Sequence, residues 1–208
     1  MPSERVPLVG VTGGIGSGKS EVCRILGALG RTVLSADALA HALTEGDPAV
    51  RAAIVRAFGE EIYGPDGALR RGELARIVFG DDARRKALDA VVHPKVFASL
   101  EEALSRLPAA AQRPYVVVEA ALVFESGMDR RLDATVLVRA AEVVRMERVM
   151  RRDGMARPDV LARMRAQIAP ASAAAKADVI IENDGTIGGL EERVAFVDRM
   201  LALRFARG

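Results

Sequence analysis

The chain has 208 residues, half of them apolar, which suffices for one compact α/β domain with a sizeable insertion or for two small ones. Thirty basic residues against 28 acidic ones leave a net charge of +2, with no Trp and only two Tyr, so an aromatic base-stacking platform and a nucleic-acid partner are not expected. Cys23 is the only cysteine, which excludes internal disulfides and cysteine-rich zinc sites.

No stretch approaches the roughly 20 apolar residues of a membrane span, and the N-terminal Met-Pro-Ser-Glu-Arg runs into the first strand without a signal-peptide pattern. A soluble, cytoplasmic protein with no membrane partner is expected. The composition sets no oligomeric state.

In chain order, Pro7–Thr12 is a short apolar run of the kind a buried parallel strand shows. Gly13, Gly14, Ile15, Gly16, Ser17, Gly18, Lys19 and Ser20 follow and match G-x-x-x-x-G-K-[ST] at every fixed position. Glycines let the backbone wrap so that successive N–H groups converge on phosphates. Lys19 supplies a charge that follows the transferring phosphate, and the Ser20 hydroxyl suits a Mg²⁺ shell. Glu21–Leu29 then places Val22, Ile25, Leu26 and Leu29 on one helical face, with Gly30 where a helix ends. A strand–loop–helix unit of this kind sets a positive helix terminus against the anion. A glycine-rich turn with a chance lysine would leave that context unexplained.

Thr32-Val-Leu34 reads as a second strand, ended by Ser35-Ala-Asp37. From Ala38 to about Pro108 the pattern is helical, punctuated by Gly59, by Gly64-Pro-Asp-Gly67 and by His93-Pro94. The residue before a proline is biased to extended geometry, so His93-Pro94 is expected to break the helical run. Strands are expected again at Tyr115–Val118, Ala134–Val138 and Asp178–Ile181. Between Arg145 and Arg165 seven arginines face three acidic residues in one helical segment from Glu142 to about Ala166. Leu190–Phe205 closes the chain as a helix, with Leu190, Val194, Val197, Met200 and Leu201 as its apolar stripe. The alternation predicts a P-loop α/β fold: about five parallel strands flanked by helices, with a helical insertion.

The loop implies a nucleoside triphosphate without saying which enzyme uses it. No Asn-Lys-x-Asp guanine reader is present, and a remodelling ATPase would usually be larger and end an apolar strand in Asp-Glu. Asp37, just beyond the second strand at the carboxyl end of the sheet, suits a carboxylate that orients an attacking hydroxyl and takes its proton. Capping a helix Ala38–Leu43 is a compatible role. Glu119, at the end of its strand, is placed for the metal's water shell. The arginine-rich segment can close over a triphosphate with guanidinium forks. His93 divides evenly between a hydrogen-bonded junction residue and a substrate contact.

The segments G13-G-I-G-S-G-K-S20, S35-A-D37, F58-G59, G67-A-L-R-R-G-E-L74 with V78-F79, H93-P94, E119-A-A-L-V-F-E125, R148-V-M-R-R-D153, Q167 and A177-D-V-I-I-E-N-D-G185 occur in the order seen in dephospho-CoA kinases. The chain resembles that family over nearly its whole length. The resemblance implies ATP- and Mg²⁺-dependent phosphorylation of the ribose 3′-hydroxyl of dephospho-CoA, the last step of coenzyme A synthesis. It implies a nucleotide core over 5–37 and 113–208, a helical acceptor region over 38–112 and an arginine-bearing lid over 142–172.

Carried over by position, Asp37 is the base and an acceptor contact, and Lys19, Arg148 and Arg152 act on the transferring phosphate. The loop from Gly13 to Ser20, with Glu21, Asn183 and Gly185, binds ATP, the last two at the adenine side. Ser20 and, through water, Glu119 serve Mg²⁺. Arg71, His93 and Glu125 lie in acceptor-side motifs. The chain departs from the family pattern at Ser35, Glu21 and Glu119-Ala-Ala-Leu-Val123, where the family often carries Asp, Thr and Asp-x-Pro-Leu-Leu. Asp37 survives; Glu119 keeps the charge on a longer arm. Another nucleoside-monophosphate-like or small-metabolite kinase shares loop, lid and carboxylate, and an ATP sensor shares the loop.

Overall fold

A computed structural model describes residues 5–206; the expected entry of Met1–Glu4 into the first strand lies outside the described residues. The chain divides into two compact units, one formed by the chain up to Ser35 and from Leu107 onward, the other by Ala36–Arg106.

The first unit carries strands β1 (Leu8–Thr12), β2 (Thr32–Ser35), β3 (Val116–Glu119), β4 (Ala134–Arg139) and β5 (Val179–Glu182). They form one sheet of order β2-β3-β1-β4-β5, with every neighbouring pair parallel. The sequence explains this. β3 and β4 are rich in β-branched residues, and all but their last residues are buried, as strands covered on both faces require. Val9, Val11, Val117, Val136, Val138 and Ile181 form a core with Val22, Ile25 and Leu26 of helix α1 (Lys19–Ala28). Each such side chain contributes about 1.5–3 kcal/mol by leaving water.

Leu190, Val194, Val197 and Leu201, from the last helix of the chain (Ile187–Ala206), complete that core. Two expected core residues are not in it. Leu29 has already left the helix as the C-cap of α1, and Met200 lies one position round from the buried stripe; both are 41% exposed.

The second unit holds α2 (Ala36–Gly46), α3 (Pro48–Phe58), α4 (Arg71–Gly80) and α5 (Asp82–Arg106). The Asp47 carboxylate caps α3, accepting from the N–H groups of Ala49 (2.8 Å) and Val50 (2.9 Å), with Pro48 pre-set for the first turn. Val50, Ile54, Ile62, Tyr63, Leu69 and Leu74 form its core.

Two expectations are corrected here. His93-Pro94 does not break the run: α5 continues from Asp82 to Arg106 with Pro94 inside it. A proline removes one helical hydrogen bond, and α5 keeps its course while packed against α2, α3 and α4. The helix after β2 begins at Ala36, so Asp37 sits in its first turn and does not act as an N-cap ahead of Ala38.

The arginine-rich segment, in the first unit, is also not one helix. It divides into α6 (Glu142–Asp153) and α7 (Arg157–Arg165), because Gly154 ends α6 in a left-handed turn and Pro158 starts α7. Met146, Val149 and Val160 give the pair a small core of its own. Helix α8 (Pro170–Lys176) leads into β5, and α9 (Ile187–Ala206) closes the chain. Among the described residues no helix is long and apolar enough to cross a membrane.

Candidate active site

β1 delivers the loop to the carboxyl edge of the sheet. Gly16 and Gly18 have positive φ (77° and 96°), and a Cβ on either would collide with a neighbour: the Arg145 carbonyl oxygen at Gly16, the Asn183 amide nitrogen at Gly18. Glycine is therefore required at both for conformation and for space. Gly18 is the N-cap of α1, and the N–H groups of Glu21 and Val22 both reach its carbonyl (3.1 Å each).

Lys19 Nζ donates to the Gly13 carbonyl (2.7 Å), folding the ammonium back along the loop. Ser20 Oγ donates to Glu119 Oε1 (2.8 Å). β-sheet register aligns Glu119 with Val11 on one side and with Ser35 on the other, so the loop, the Glu119 carboxylate and the end of β2 stand at one level.

The second wall comes from α6 and the β5–α9 turn. Asn183, 6% exposed, donates its side-chain N–H to the Ser17 carbonyl (2.8 Å). Arg148 Nη2 donates to the Asn183 carbonyl (2.9 Å), with Nη1 3.5 Å from the Ser17 carbonyl. Gly18, Lys19, Ser20, Glu21, Arg148, Arg152, Asn183 and Gly185 line one solvent-open cleft. Arg152 is exposed there and pairs with Asp153 (2.6 Å), whose carboxyl is held below its usual range by that hydrogen bond. The cleft thus combines loop amides, an ammonium and guanidinium forks, a chemistry suited to a polyphosphate.

Arg145 and Gln167 complete the loop's surroundings without having been expected as site residues. Arg145 Nε donates to the Ile15 carbonyl (3.0 Å), and Gln167 Oε1 accepts from the Ile15 N–H (2.7 Å). Burial lowers the Arg145 pKa from its usual value. In the sequence Gln167 stands out only as one residue of the ordered motif set, and Arg145 only as one of the seven arginines of its segment. Glu125 is exposed and accepts from the Ile168 N–H (2.9 Å) beside Gln167.

Cys23 lies in α1 facing the core, and burial pushes its thiol up to about 12, which leaves it a packing residue. In the second unit Asp37 is exposed in the first turn of α2. There Arg71 pairs with Glu45 (3.1 Å). His93 faces Asp89 one turn back (3.5 Å) and the Phe97 ring (6.4 Å between centroids).

Together the parallel sheet of order β2-β3-β1-β4-β5, the glycine loop with its lysine and the arginine-bearing α6 define a P-loop kinase. The sequence profile of the dephospho-CoA kinase family matches residues 7–188. The dephospho-CoA kinase of Chlorobium chlorochromatii is 40% identical over 197 residues, covering 93% of this chain and 92% of that protein. Among solved structures, TT1252 from Thermus thermophilus is 42% identical with a TM-score of 0.81, covering 95% of this chain and 99% of its own. Dephospho-CoA kinase from Campylobacter jejuni is 26% identical with a TM-score of 0.65, covering 94% and 96%. The chain belongs to the dephospho-CoA kinase family, a family of ATP-dependent kinases.

Proposed function

We propose that this chain transfers the γ-phosphoryl group of ATP to the ribose 3′-hydroxyl of dephospho-CoA, giving coenzyme A and ADP. The observation that carries the reading is the single cleft lined by Lys19, Ser20, Arg148, Arg152 and Asn183. In phosphoryl transfer the protein's task is positioning and charge stabilisation, because the transition state spreads negative charge over the γ-oxygens. Gly13–Ser20 with Glu21 hold the triphosphate, and Asn183 with Gly185 border the adenine. Lys19 turns from the Gly13 carbonyl to the β/γ-oxygens. Arg148 and Arg152 add guanidinium donors that also keep water out.

The Ser20 hydroxyl and Glu119 carboxylate, 2.8 Å apart, are hard oxygen donors of the kind Mg²⁺ takes, one or two from the protein and the rest from water and phosphate. An ion held by these two groups would neutralise phosphate charge during transfer.

Asp37 follows Ser35 by two residues, and Ser35 pairs in register with Glu119. Asp37 is assigned as the base that orients the acceptor hydroxyl and takes its proton. Arg71, His93 and Glu125 are assigned to the acceptor side. Cytoplasmic localisation fits ATP dependence and a lone buried thiol.

The test is a panel of acceptors with ATP and Mg²⁺, read as ADP release above background. Turnover with dephospho-CoA alone is expected. Turnover with a nucleoside monophosphate or a sugar and none with dephospho-CoA would assign a different kinase, and tight ATP binding without turnover would assign a sensor.

A further inference from the structure

Ile15, at the tip of the phosphate loop, is held on three sides by the arginine-rich segment. Its carbonyl accepts from Arg145 Nε (3.0 Å), on the helix that enters that segment. Its N–H is taken by Gln167 Oε1 (2.7 Å), two residues beyond the helix that leaves it. Its side chain packs on Met146, Val149 and Val160, the small core shared by α6 and α7, beside Met155, Leu161 and Met164. Close approach reinforces the junction: a Cβ on Gly14 would stand 2.6 Å from the Arg145 guanidinium. Next to Gln167, the Ile168 N–H is tied to Glu125 (2.9 Å), which anchors the returning chain to the segment after β3.

We infer that Gln167 and Arg145 are positioning residues that act through Ile15, joining the tip of the phosphate loop to the arginine-rich lid so that the two move as one piece. The physical argument is geometric. A backbone N–H and C=O on one residue fix the orientation of its two flanking peptide planes, because each peptide is planar. Those planes belong to Gly14–Ile15 and Ile15–Gly16, in the middle of the phosphate loop. A rotation of α6 and α7 must then either carry the tip with it or break two hydrogen bonds and withdraw an apolar side chain. Loop shape, and so the aim of its amides, becomes a function of lid position. The proposal rests on the lid reading above but not on the identity of the acceptor.

The experiment uses the full chain without nucleotide. Hydrogen exchange is followed at the Ile15 amide and at the amides of α6 and α7, for wild type, Gln167→Met and Gln167→Glu. Met keeps the length of the side chain and removes the acceptor; Glu keeps the acceptor. Exchange at Ile15 and in α6–α7 should rise by about fivefold or more in Gln167→Met and stay near wild type in Gln167→Glu. In turnover, kcat/KM for ATP should fall roughly tenfold in Gln167→Met while KM for dephospho-CoA is unchanged, as misaimed loop groups would require. Wild-type exchange and kinetics in Gln167→Met would overturn the inference. So would equal loosening in both variants, or a lowered melting temperature with intact ATP kinetics. If wild type fails to use dephospho-CoA, the acceptor assignment falls, and the exchange result still decides the coupling.

Discussion

The two ends of the sheet use their half-buried arginines in opposite ways. At the amino ends of the strands, a largely buried arginine is matched by a carboxylate. Just before β2 and β3, Arg31 forks onto Asp198 of α9 (2.6 and 3.0 Å), and Tyr115 Oη donates to the same carboxylate (2.6 Å). Asp133 takes the Leu8 N–H and Arg5, and Asp178 takes the N–H and hydroxyl of Thr135. At the carboxyl ends, Arg145 and Arg148 spend their donors on main-chain carbonyls, and Arg148 does so beside the ammonium of Lys19. A carbonyl neutralises no charge, so Arg145 and Arg148 keep theirs for an anion. The same sheet thus stores stability at one end and binding capacity at the other.

Removing the ammonium should have the largest effect. Lys19→Ala should lower kcat by roughly 100-fold or more, the scale of one electrostatic donor in a dry site, with a melting temperature close to wild type. A folded variant with near-normal kcat would remove the loop's assigned role. Asp37→Asn follows: kcat should fall by roughly 100-fold or more while ATP affinity changes less than about threefold. Steady-state turnover and calorimetry on one preparation check both. Because Asp37 lies in the first turn of α2, Asn should cost at most about 1 kcal/mol of helix-dipole energy. Full activity would move the base elsewhere, with Glu119 next.

The amino end should answer with stability instead. Asp198→Asn keeps a partner for Tyr115 but leaves the Arg31 guanidinium, 16% exposed, without its counter-charge, at a cost of about 3 kcal/mol. Turnover should not change. Burial pushes the Asp198 carboxyl up, but its bonds to Arg31 and Tyr115 outweigh this and hold it below the usual value. A depressed carboxylate contributes its stability above the unfolded pKa, about 3.9, and loses it as pH falls through the folded value. The gap between wild type and Asp198→Asn should therefore be constant near neutral pH and close at pH below about 4, as denaturant titrations at several pH values would show. A gap that widens in acid would contradict the charge assignment. The smallest effect belongs to Arg139→Ala, which breaks an exposed pair with Glu182 and should shift stability by no more than about 1 kcal/mol.

The contrast was half legible in the sequence. Gly13–Ser20 declares itself because its spacing is local and each residue type is chemically forced. The strands declare themselves as runs rich in β-branched residues, within a residue or so at each end. Asn183 was legible only through its motif, and its bond to the Ser17 carbonyl spans 166 positions. Arg145 and Gln167 meet Ile15 across 130 and 152 positions, and no periodicity encodes such contacts. His93-Pro94 misleads because a local rule about prolines yields to the packing of a 25-residue helix. Asp198 meets Arg31 and Tyr115 across 167 and 83 positions, so no local pattern marks it.

The most direct measurement follows the label from γ-³²P-ATP in the presence of Mg²⁺ and dephospho-CoA, with the product's phosphate position read by NMR. The account requires one labelled phosphate on the ribose 3′-oxygen for each ADP formed. Label released as inorganic phosphate, or found on any other oxygen of the acceptor, would contradict it.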